Sequence, residues 1–372
     1  MHNKIRSSNG GKNILTLAIV GILASLLGSS IKTSHNLVQA QEKPKIVASH
    51  DVICDLVKTI AQETMELTCL IDANQDPHSY RPTPADRKAM AEAQLILYGG
   101  YELEPRVIKL IEATKDGANP QAKMALYEQV VTEPILAEDN HGHGDEHGHE
   151  DEHGHEDEHG HGDEHGHEDE HGHKDEHGHE DELEGAKSEP ELAPDPHVWH
   201  NIENTVAMVE LLKSIFLQAN PLETELYLVN STALTEELWQ LDAWIKDQID
   251  TIPQGQRILV TTHNALNYYV QAYNLEDYKT LQGLSSNASP TASQVRDLAT
   301  EIKQTGVPTI FAESTKSDRV IGNVARAANV ELSPEKLYVD SLGAAANYRE
   351  MMSHNTCAIV NGLGGECEPF GQ

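Results

Sequence analysis

The stretch LETELYLVNSTALTEELWQLDAWIKDQI (222–249) is the longest helical pattern in this 372-residue chain. Its apolar residues keep three- and four-residue spacing over most of its length, as one face of an amphipathic helix requires. They are Leu222, Leu226, Val229, Ala233, Leu238, Leu241, Ile245 and Ile249. A helix of about 28 residues spans roughly 40 Å, the diameter of a small domain. A broken heptad register disfavours a coiled coil, so the pattern predicts a rigid helix (221–251) that joins two lobes.

On both sides of this helix, short apolar runs alternate with helical patterns, which is typical of parallel α/β layers. Before it, strands are predicted at 45–48, 66–71, 95–98 and near 125–131, and helices at 52–63, 84–93 and 203–218. After it, strands are predicted at 257–262, 309–312 and 336–339, and helices at 265–273, 291–305, 318–328 and 344–359. The fold class predicted is therefore α/β, with two Rossmann-like lobes at 44–219 and 256–372, each built on a parallel sheet.

A histidine run at 141–179 interrupts the first lobe, and in it the triplet His-Gly-His recurs every six residues between acidic spacers. Its imidazoles are His141, His143, His147, His149, His153, His155, His159, His161, His165, His167, His171, His173, His177 and His179. Imidazole and carboxylate are both ligands for Zn²⁺. The run contains no apolar residue, so we expect the insert 138–187 to be disordered and to bind metal weakly. A solvated acidic linker is the alternative.

The net charge of −33 is concentrated in this insert. Residues 138–184 hold twenty-one carboxylates against one lysine, Lys174. The remaining chain is moderately acidic and lacks the clustered Lys and Arg that nucleic acids and anionic membrane surfaces require. We therefore expect no nucleic-acid partner.

The N-terminus is typical of an export signal. Lys4, Arg6 and Lys12 precede a short apolar run at 14–28, and Val38-Gln39-Ala40 offers small residues for a signal peptidase. This pattern predicts a signal peptide at 1–40, cleaved near Ala40, and a periplasmic mature protein. An uncleaved membrane anchor is the alternative, although the apolar run is short for a span.

Four cysteines, an even number, favour disulfides in an oxidising compartment. They are Cys54, Cys69, Cys357 and Cys367, and none has CxxC spacing. Of the three connectivities, local pairing of 54 with 69 and of 357 with 367 is the most natural. Four buried thiols remain the alternative.

Potential metal ligands fall in loops, mostly close to predicted strand ends. They are His78 and His197, each in an Asp-Pro-His triplet, together with His263 and Asp340. Ligands of open α/β sheets bind beyond the carboxyl ends of the strands, so these residues can converge on one cleft. Three imidazoles and one carboxylate would complete a tetrahedral Zn²⁺ shell with no open position.

Three alternatives stay open for this site. His50, at the end of the first predicted strand, and His200, three residues after His197, are rival ligands. Asp340 could instead cap the last helix, because Ser341-Leu342-Gly343 leads into it.

Five motifs, in this order and over nearly all of the mature chain, resemble the solute-binding proteins of metal-specific ABC transporters, and among them the zinc-uptake type ZnuA. They are DPHSYRPTPAD (76–86), DPHVW (195–199), RILVTTHNALNYY (257–269), PTIFAESTKSDR (308–319) and YVDSLG (338–343). The resemblance implies two α/β lobes, a rigid linking helix and one metal ion in the cleft between the lobes. It places the ligands at His78, His197, His263 and Asp340. Manganese-binding relatives carry glutamate where this chain has His263, and a histidine-rich insert is a trait of the zinc-binding members.

The function expected is capture of Zn²⁺ and its delivery to a membrane ABC permease by a monomeric protein that is not an enzyme. The histidine run would then be a weak accessory collector of zinc, or a sensor of it. A manganese or iron transporter component and a periplasmic zinc buffer are the alternatives. A secreted zinc hydrolase is disfavoured, because four ligands leave no position for water and Glu313, the one base that can be placed near a strand end, suits a structural role better.

Overall fold

The computed structural model describes residues 42–114, 122–138, 192–285 and 289–371. The predicted signal peptide and the histidine run lie outside these residues. Residues Lys43–Gln372 form one unit. The lobe and linker boundaries given above stay predictions.

The N-terminal half is built on strands and helices in alternation, as its pattern predicts. The elements are β1 (Lys45–Ala48), α1 (Asp51–Ala61), β2 (Glu66–Cys69), α2 (Pro84–Glu92), β3 (Leu95–Tyr98), α3 (Pro105–Ala113), β4 (Ala122–Ala125), α4 (Leu126–Val130), β5 (Leu136–Glu138), β6 (Leu192–Pro194) and α5 (Ile202–Ala219). The strands β2-β1-β3-β4 form one parallel sheet in that order. β5 and β6 pair antiparallel, Leu136 opposite Pro194, on either side of the histidine run.

The C-terminal half begins with the long helix and continues with short strands and helices in alternation. Its elements are α6 (Thr224–Asp250), β7 (Ile258–Thr261), α7 (Asn267–Ala272), β8 (Asp277–Thr280), α8 (Ala292–Thr305), β9 (Thr309–Ile310), α9 (Asp318–Ala328), β10 (Glu331–Leu332) and α10 (Tyr348–Gly362). β7 pairs parallel with β8, and β9 pairs parallel with β10. The α/β class with parallel sheets is confirmed.

Two predicted strands are wrong. Residues 126–130 form the short helix α4 rather than a strand, directly after β4. Residues 336–339 form no regular strand, and Leu337 makes only a single parallel bridge to Glu313. In both places two apolar side chains are buried in the core, Leu126 and Tyr127 in the first and Leu337 and Val339 in the second. Periodicity does not distinguish a buried strand from another buried segment.

Both faces of the first sheet are covered. Along β1, Ile46 and Ala48 join one hydrophobic cluster and Val47 joins another, the alternation that a strand with period two produces. The cluster with Ile46 also contains Ile249 from α6 and Ile359 from α10. One core therefore extends through both halves of the chain.

The long helix α6 packs against α1 and α5 of the first half and against α10 of the second. Its buried side chains include Leu238, Leu241 and Ile245, whereas Leu228 and Val229 are exposed. Two disulfides add covalent ties: Cys54–Cys69 joins α1 to β2, and Cys357–Cys367 joins α10 to the C-terminal segment. The predicted local pairing is confirmed.

We predict that Leu241→Ala lowers the free energy of unfolding of the metal-free protein by about 2–5 kcal/mol, because it leaves a cavity in the shared core. Leu228→Ala on the same helix is the matched control, since its side chain is 45% exposed. The control should change stability by no more than about 0.5 kcal/mol. Urea denaturation followed by circular dichroism measures both, and equal effects would contradict the role assigned to this helix face.

Candidate metal centre

Four side chains from distant parts of the chain meet at one point: His78, His197, His263 and Asp340. Asp340 Oδ1 lies 3.1 Å from His263 Nε2, 3.4 Å from His197 Nε2 and 3.6 Å from His78 Nε2. The Nε2 atoms of His78 and His197 are 3.3 Å apart. All four ligand atoms lie within 4.8 Å of one another.

These separations suit one metal ion. A tetrahedral Zn²⁺ with Zn–N bonds of about 2.0–2.1 Å has ligand–ligand distances of about 3.3 Å. His197, His263 and Asp340 are fully buried, and His78 is 3% exposed. The four residues therefore form a nearly closed cluster in which the three Nε2 atoms face the Oδ1 atom of Asp340.

The two Asp-Pro-His triplets form the same local turn. Asp76 Oδ1 accepts a hydrogen bond from the backbone N–H of His78 at 3.0 Å. Asp195 Oδ1 accepts one from the backbone N–H of His197 at 2.9 Å. An aspartate that bonds the backbone two residues on fixes a tight turn, so each triplet presents its histidine to the cluster. The repeat was visible in the sequence, but the role of the two aspartates was not.

Carboxylates also orient two of the imidazole rings. Asp195 Oδ1 accepts from His197 Nδ1 at 2.8 Å, and Glu313 Oε2 accepts from His263 Nδ1 at 2.6 Å. Glu313 Oε1 accepts in addition from the backbone N–H groups of Thr262 and His263. A proton held on Nδ1 leaves Nε2 as the atom that can bind a metal. Glu313 thus has the structural role that the sequence favoured.

The alternative ligands are placed elsewhere. His50 and His200 are fully buried, but their Nε2 atoms lie 2.8 Å from the backbone oxygen of Asp340 and 2.9 Å from that of Val339. A carbonyl oxygen only accepts, so both Nε2 atoms carry protons and donate. Both residues hold the segment that carries Asp340 and stay outside the ligand cluster.

Asp340 does not cap the last helix. α10 begins at Tyr348, and its N-cap is Asn347, whose side chain accepts from the backbone N–H of Glu350. That alternative is wrong because several irregular residues separate Asp340 from the helix.

The family model of ZnuA, described as "Zinc-uptake complex component A periplasmic", matches residues 46–362. The chain belongs to this family. It is therefore a metal-binding, substrate-binding component of an ABC transporter, and the resemblance drawn from its motifs is confirmed.

Individual relatives differ in the metal that their names give. The chain is 26% identical to the manganese-binding lipoprotein MntA of Halalkalibacterium halodurans, over 86% of this chain and 88% of the relative. It is 25% identical to the manganese ABC transporter substrate-binding lipoprotein PsaA of Streptococcus anginosus, over 94% and 97%. Among solved structures, the periplasmic zinc-binding protein TroA of Treponema pallidum matches with a TM-score of 0.67 and 25% identity, covering 87% of this chain and 99% of TroA.

In this family member the carboxylates control the charge of the clustered histidines. Burial alone lowers the pKa of His263, but Asp340 and Glu313 outweigh burial and raise it to about 10. Burial likewise opposes a charged His197, yet Asp195 and Asp340 raise its pKa above the usual value. For His78, burial dominates and the pKa is lowered.

Two further residues at the cluster were missed by sequence reasoning. Thr315 Oγ1 donates to Asp340 Oδ2 at 2.8 Å, and Lys316 Nζ lies 3.3 Å from the same oxygen. Burial alone lowers the pKa of Lys316, but Asp340 and Asp76 outweigh it and raise the pKa above its usual value, so Lys316 is a cation. Both residues lie in the loop that follows β9, shortly after Glu313, and this position was the signal available.

We predict that Glu313→Gln weakens zinc binding by about 10–100-fold. The glutamine oxygen can still accept from the backbone N–H groups of Thr262 and His263, but its NH₂ group then faces His263 Nδ1. In the neutral imidazole that zinc requires, Nδ1 must then accept, so the one remaining proton lies on Nε2, the atom that would bind the metal. Chelator competition measures the affinity, and NMR of the imidazole nitrogens reports the tautomer. Unchanged affinity with an unchanged tautomer would contradict this role.

Zinc affinity should also depend on pH. In the metal-free site the pKa of His263 is raised from 6.5 to about 10, so His263 carries a proton at neutral pH. Zinc needs the neutral Nε2, and each bound ion displaces about one proton. The apparent Kd should therefore fall about tenfold per pH unit between pH 7 and 9. Chelator competition at several pH values, corrected for the protonation of the chelator, measures this; a flat profile would contradict the protonated state.

Proposed function

We propose that this protein captures Zn²⁺ and delivers it to an ABC permease for uptake. The observation that carries the proposal is the convergence of three imidazole Nε2 atoms and one carboxylate oxygen at a buried point. Four protein ligands with no open position suit capture of an ion better than catalysis on it.

The donor set supports zinc as the cargo. Imidazole nitrogen suits Zn²⁺, whereas Mn²⁺ prefers carboxylate, carbonyl and water oxygens in octahedral geometry. At this site His263 supplies nitrogen where a second carboxylate would favour a harder ion. Three of the four donors are nitrogen.

A cavity of about 200 Å³ supports access of an ion to this point. His78, the one ligand with measurable exposure, lines it together with Tyr101, Glu102 and Glu128. The two carboxylates make the approach favourable for a cation. We infer that the ion meets His78 first.

The histidine run is proposed as a weak accessory collector or sensor of zinc. The residues that flank it, Glu138 and Leu192, are paired across β5 and β6. Ala193 and Pro194 of β6 line the same cavity as His78. Many weak ligands tethered beside this cavity would raise the local zinc concentration there.

We further propose a periplasmic location, a monomeric state and the absence of enzymatic activity. The periplasmic description of the family and the export signal predicted at 1–40 support the location. Among the residues that the structure describes, none of the helices combines the length and the apolar character that a membrane span needs.

A manganese cargo is the second candidate, because relatives such as MntA and PsaA are named for manganese. An oxygen-rich site would favour it, and the three imidazoles argue against it. A zinc buffer, in which the histidine run is the main binding element, is a further alternative that the same experiment addresses.

The test is calorimetric titration with Zn²⁺ of the mature chain lacking residues 141–179, compared with the same chain carrying His263→Ala. We expect one tight site in the first protein and a Kd at least about a hundredfold weaker in the second, since one of the four buried side chains proposed to bind the ion is lost. Full-length mature protein should show this tight site and additional weak ones.

The control is His354→Ala, because His354 Nε2 contacts the backbone oxygen of Lys336 and lies outside the ligand cluster. It should bind zinc as the parent does. Absence of a tight site after deletion of the run would support the buffer, and tighter binding of Mn²⁺ than of Zn²⁺ would support the manganese transporter.

A further inference from the structure

The two oxygens of the Asp340 carboxylate have different surroundings. Oδ1 faces the three imidazoles at 3.1–3.6 Å. Oδ2 accepts the hydroxyl hydrogen of Thr315 at 2.8 Å and lies 3.3 Å from Lys316 Nζ. One oxygen is thus directed to the metal position and the other is bound by protein donors.

Lys316 is itself held in place. Its ammonium group is hydrogen-bonded to Asp76 Oδ2, while Asp76 Oδ1 accepts from the backbone N–H of His78. The Lys316 side chain is only 11% exposed, so its contacts with the two carboxylates are weakly screened by water. The ammonium group therefore links the loop of His78 to Asp340.

From these contacts we propose that Thr315 and Lys316 determine metal specificity by restricting Asp340 to one coordinating oxygen. The proposal rests on the zinc-transport function proposed above and deepens it. With Oδ2 bound by a hydroxyl and an ammonium group, Asp340 supplies a single ligand atom. The three histidines then complete a four-coordinate shell.

Coordination number separates the competing ions. Zn²⁺ accepts four ligands in tetrahedral geometry without loss. Mn²⁺ prefers six ligands, mostly oxygens. A carboxylate that cannot turn its second oxygen to the ion denies Mn²⁺ a fifth ligand, and burial of the cluster limits the water that could replace it.

The positive charge of Lys316 has a second effect on metal binding, and this effect does not distinguish one divalent ion from another. A cation next to Asp340 weakens binding of every divalent ion, because Zn²⁺ and Mn²⁺ carry the same charge. The ratio of the two dissociation constants cancels this effect and reports the coordination of Asp340. Thr315 carries no charge, so its hydrogen bond can be removed without changing the field at the site.

The experiment compares Thr315→Val and Lys316→Met with Lys336→Met in the full mature chain. The first two variants remove one donor each to Oδ2 with little change of volume. Lys336 pairs with Asp318 at 3.6 Å, is 40% exposed and serves as the control for loss of a lysine. Kd values for Zn²⁺ and Mn²⁺ are measured by competition with a chelator.

We expect the Mn²⁺-to-Zn²⁺ ratio of Kd values to fall by about tenfold in Thr315→Val and in Lys316→Met, and to stay unchanged in Lys336→Met. Lys316→Met should in addition bind both ions more tightly. Co²⁺ serves as a spectroscopic probe, because four-coordinate Co²⁺ absorbs visible light far more strongly than six-coordinate Co²⁺. The absorption should be strong in the parent and weaker in both site variants.

An unchanged ratio together with an unchanged Co²⁺ spectrum would overturn the proposal. In that case tight zinc binding by the parent would leave the transport function standing, whereas its absence would remove the function as well. If Lys316→Met does not fold, Thr315→Val decides alone, since it leaves every charge in place.

Discussion

The structure around the metal centre depends on one buried charge, the carboxylate of Asp340. An ionised carboxylate removed from water costs several kcal/mol unless it is paired and hydrogen-bonded. Here burial is fully offset: the pKa of Asp340 is held well below its usual range by His263 first, then by Lys316 and His197. The loops that meet at this point thus carry the groups that stabilise the charge of this single carboxylate.

The backbone of the Asp340 segment is fixed by the other half of the chain. His50 and His200 donate to the carbonyl oxygens of residues 340 and 339, and Asp51 Oδ2 accepts from the backbone N–H of Leu342 at 2.7 Å. Burial lowers the pKa of His200 to about 3, so this imidazole is neutral. The Asp340 segment is therefore anchored to residues that follow β1 and β6, while His263 reaches it from the loop after β7.

Sequence periodicity predicted the elements that have clear local signals. The bounds of β3 and α9 agree with prediction, because Gly99-Gly100 ends the continuous apolar run of β3 and the N-cap Ser317 marks the start of α9. Residues 336–339 were misassigned, because Leu337 and Val339 are buried in the hydrophobic core while the backbone makes only one bridge, to Glu313. The four clustered side chains were found because loops after strands converge. Thr315 and Lys316 were not found, because no local pattern marks them. Their partners, Asp76 and Asp340, are distant in the sequence or on another loop and meet them only in the folded chain.

These contacts also make the site rigid before any ion arrives. The rings of His197 and His263 are oriented by Asp195 and Glu313, and both carboxylates are themselves bonded to backbone N–H groups. Asn267 Nδ2 adds a further donor to Asp195 Oδ2 at 2.9 Å. Groups already held in place lose little conformational entropy when a ligand binds, so more of the interaction energy appears as affinity. A preorganised cluster of this kind suits capture of a scarce ion. Its four side chains all lie outside the histidine run, so the cluster does not depend on the run for its donors.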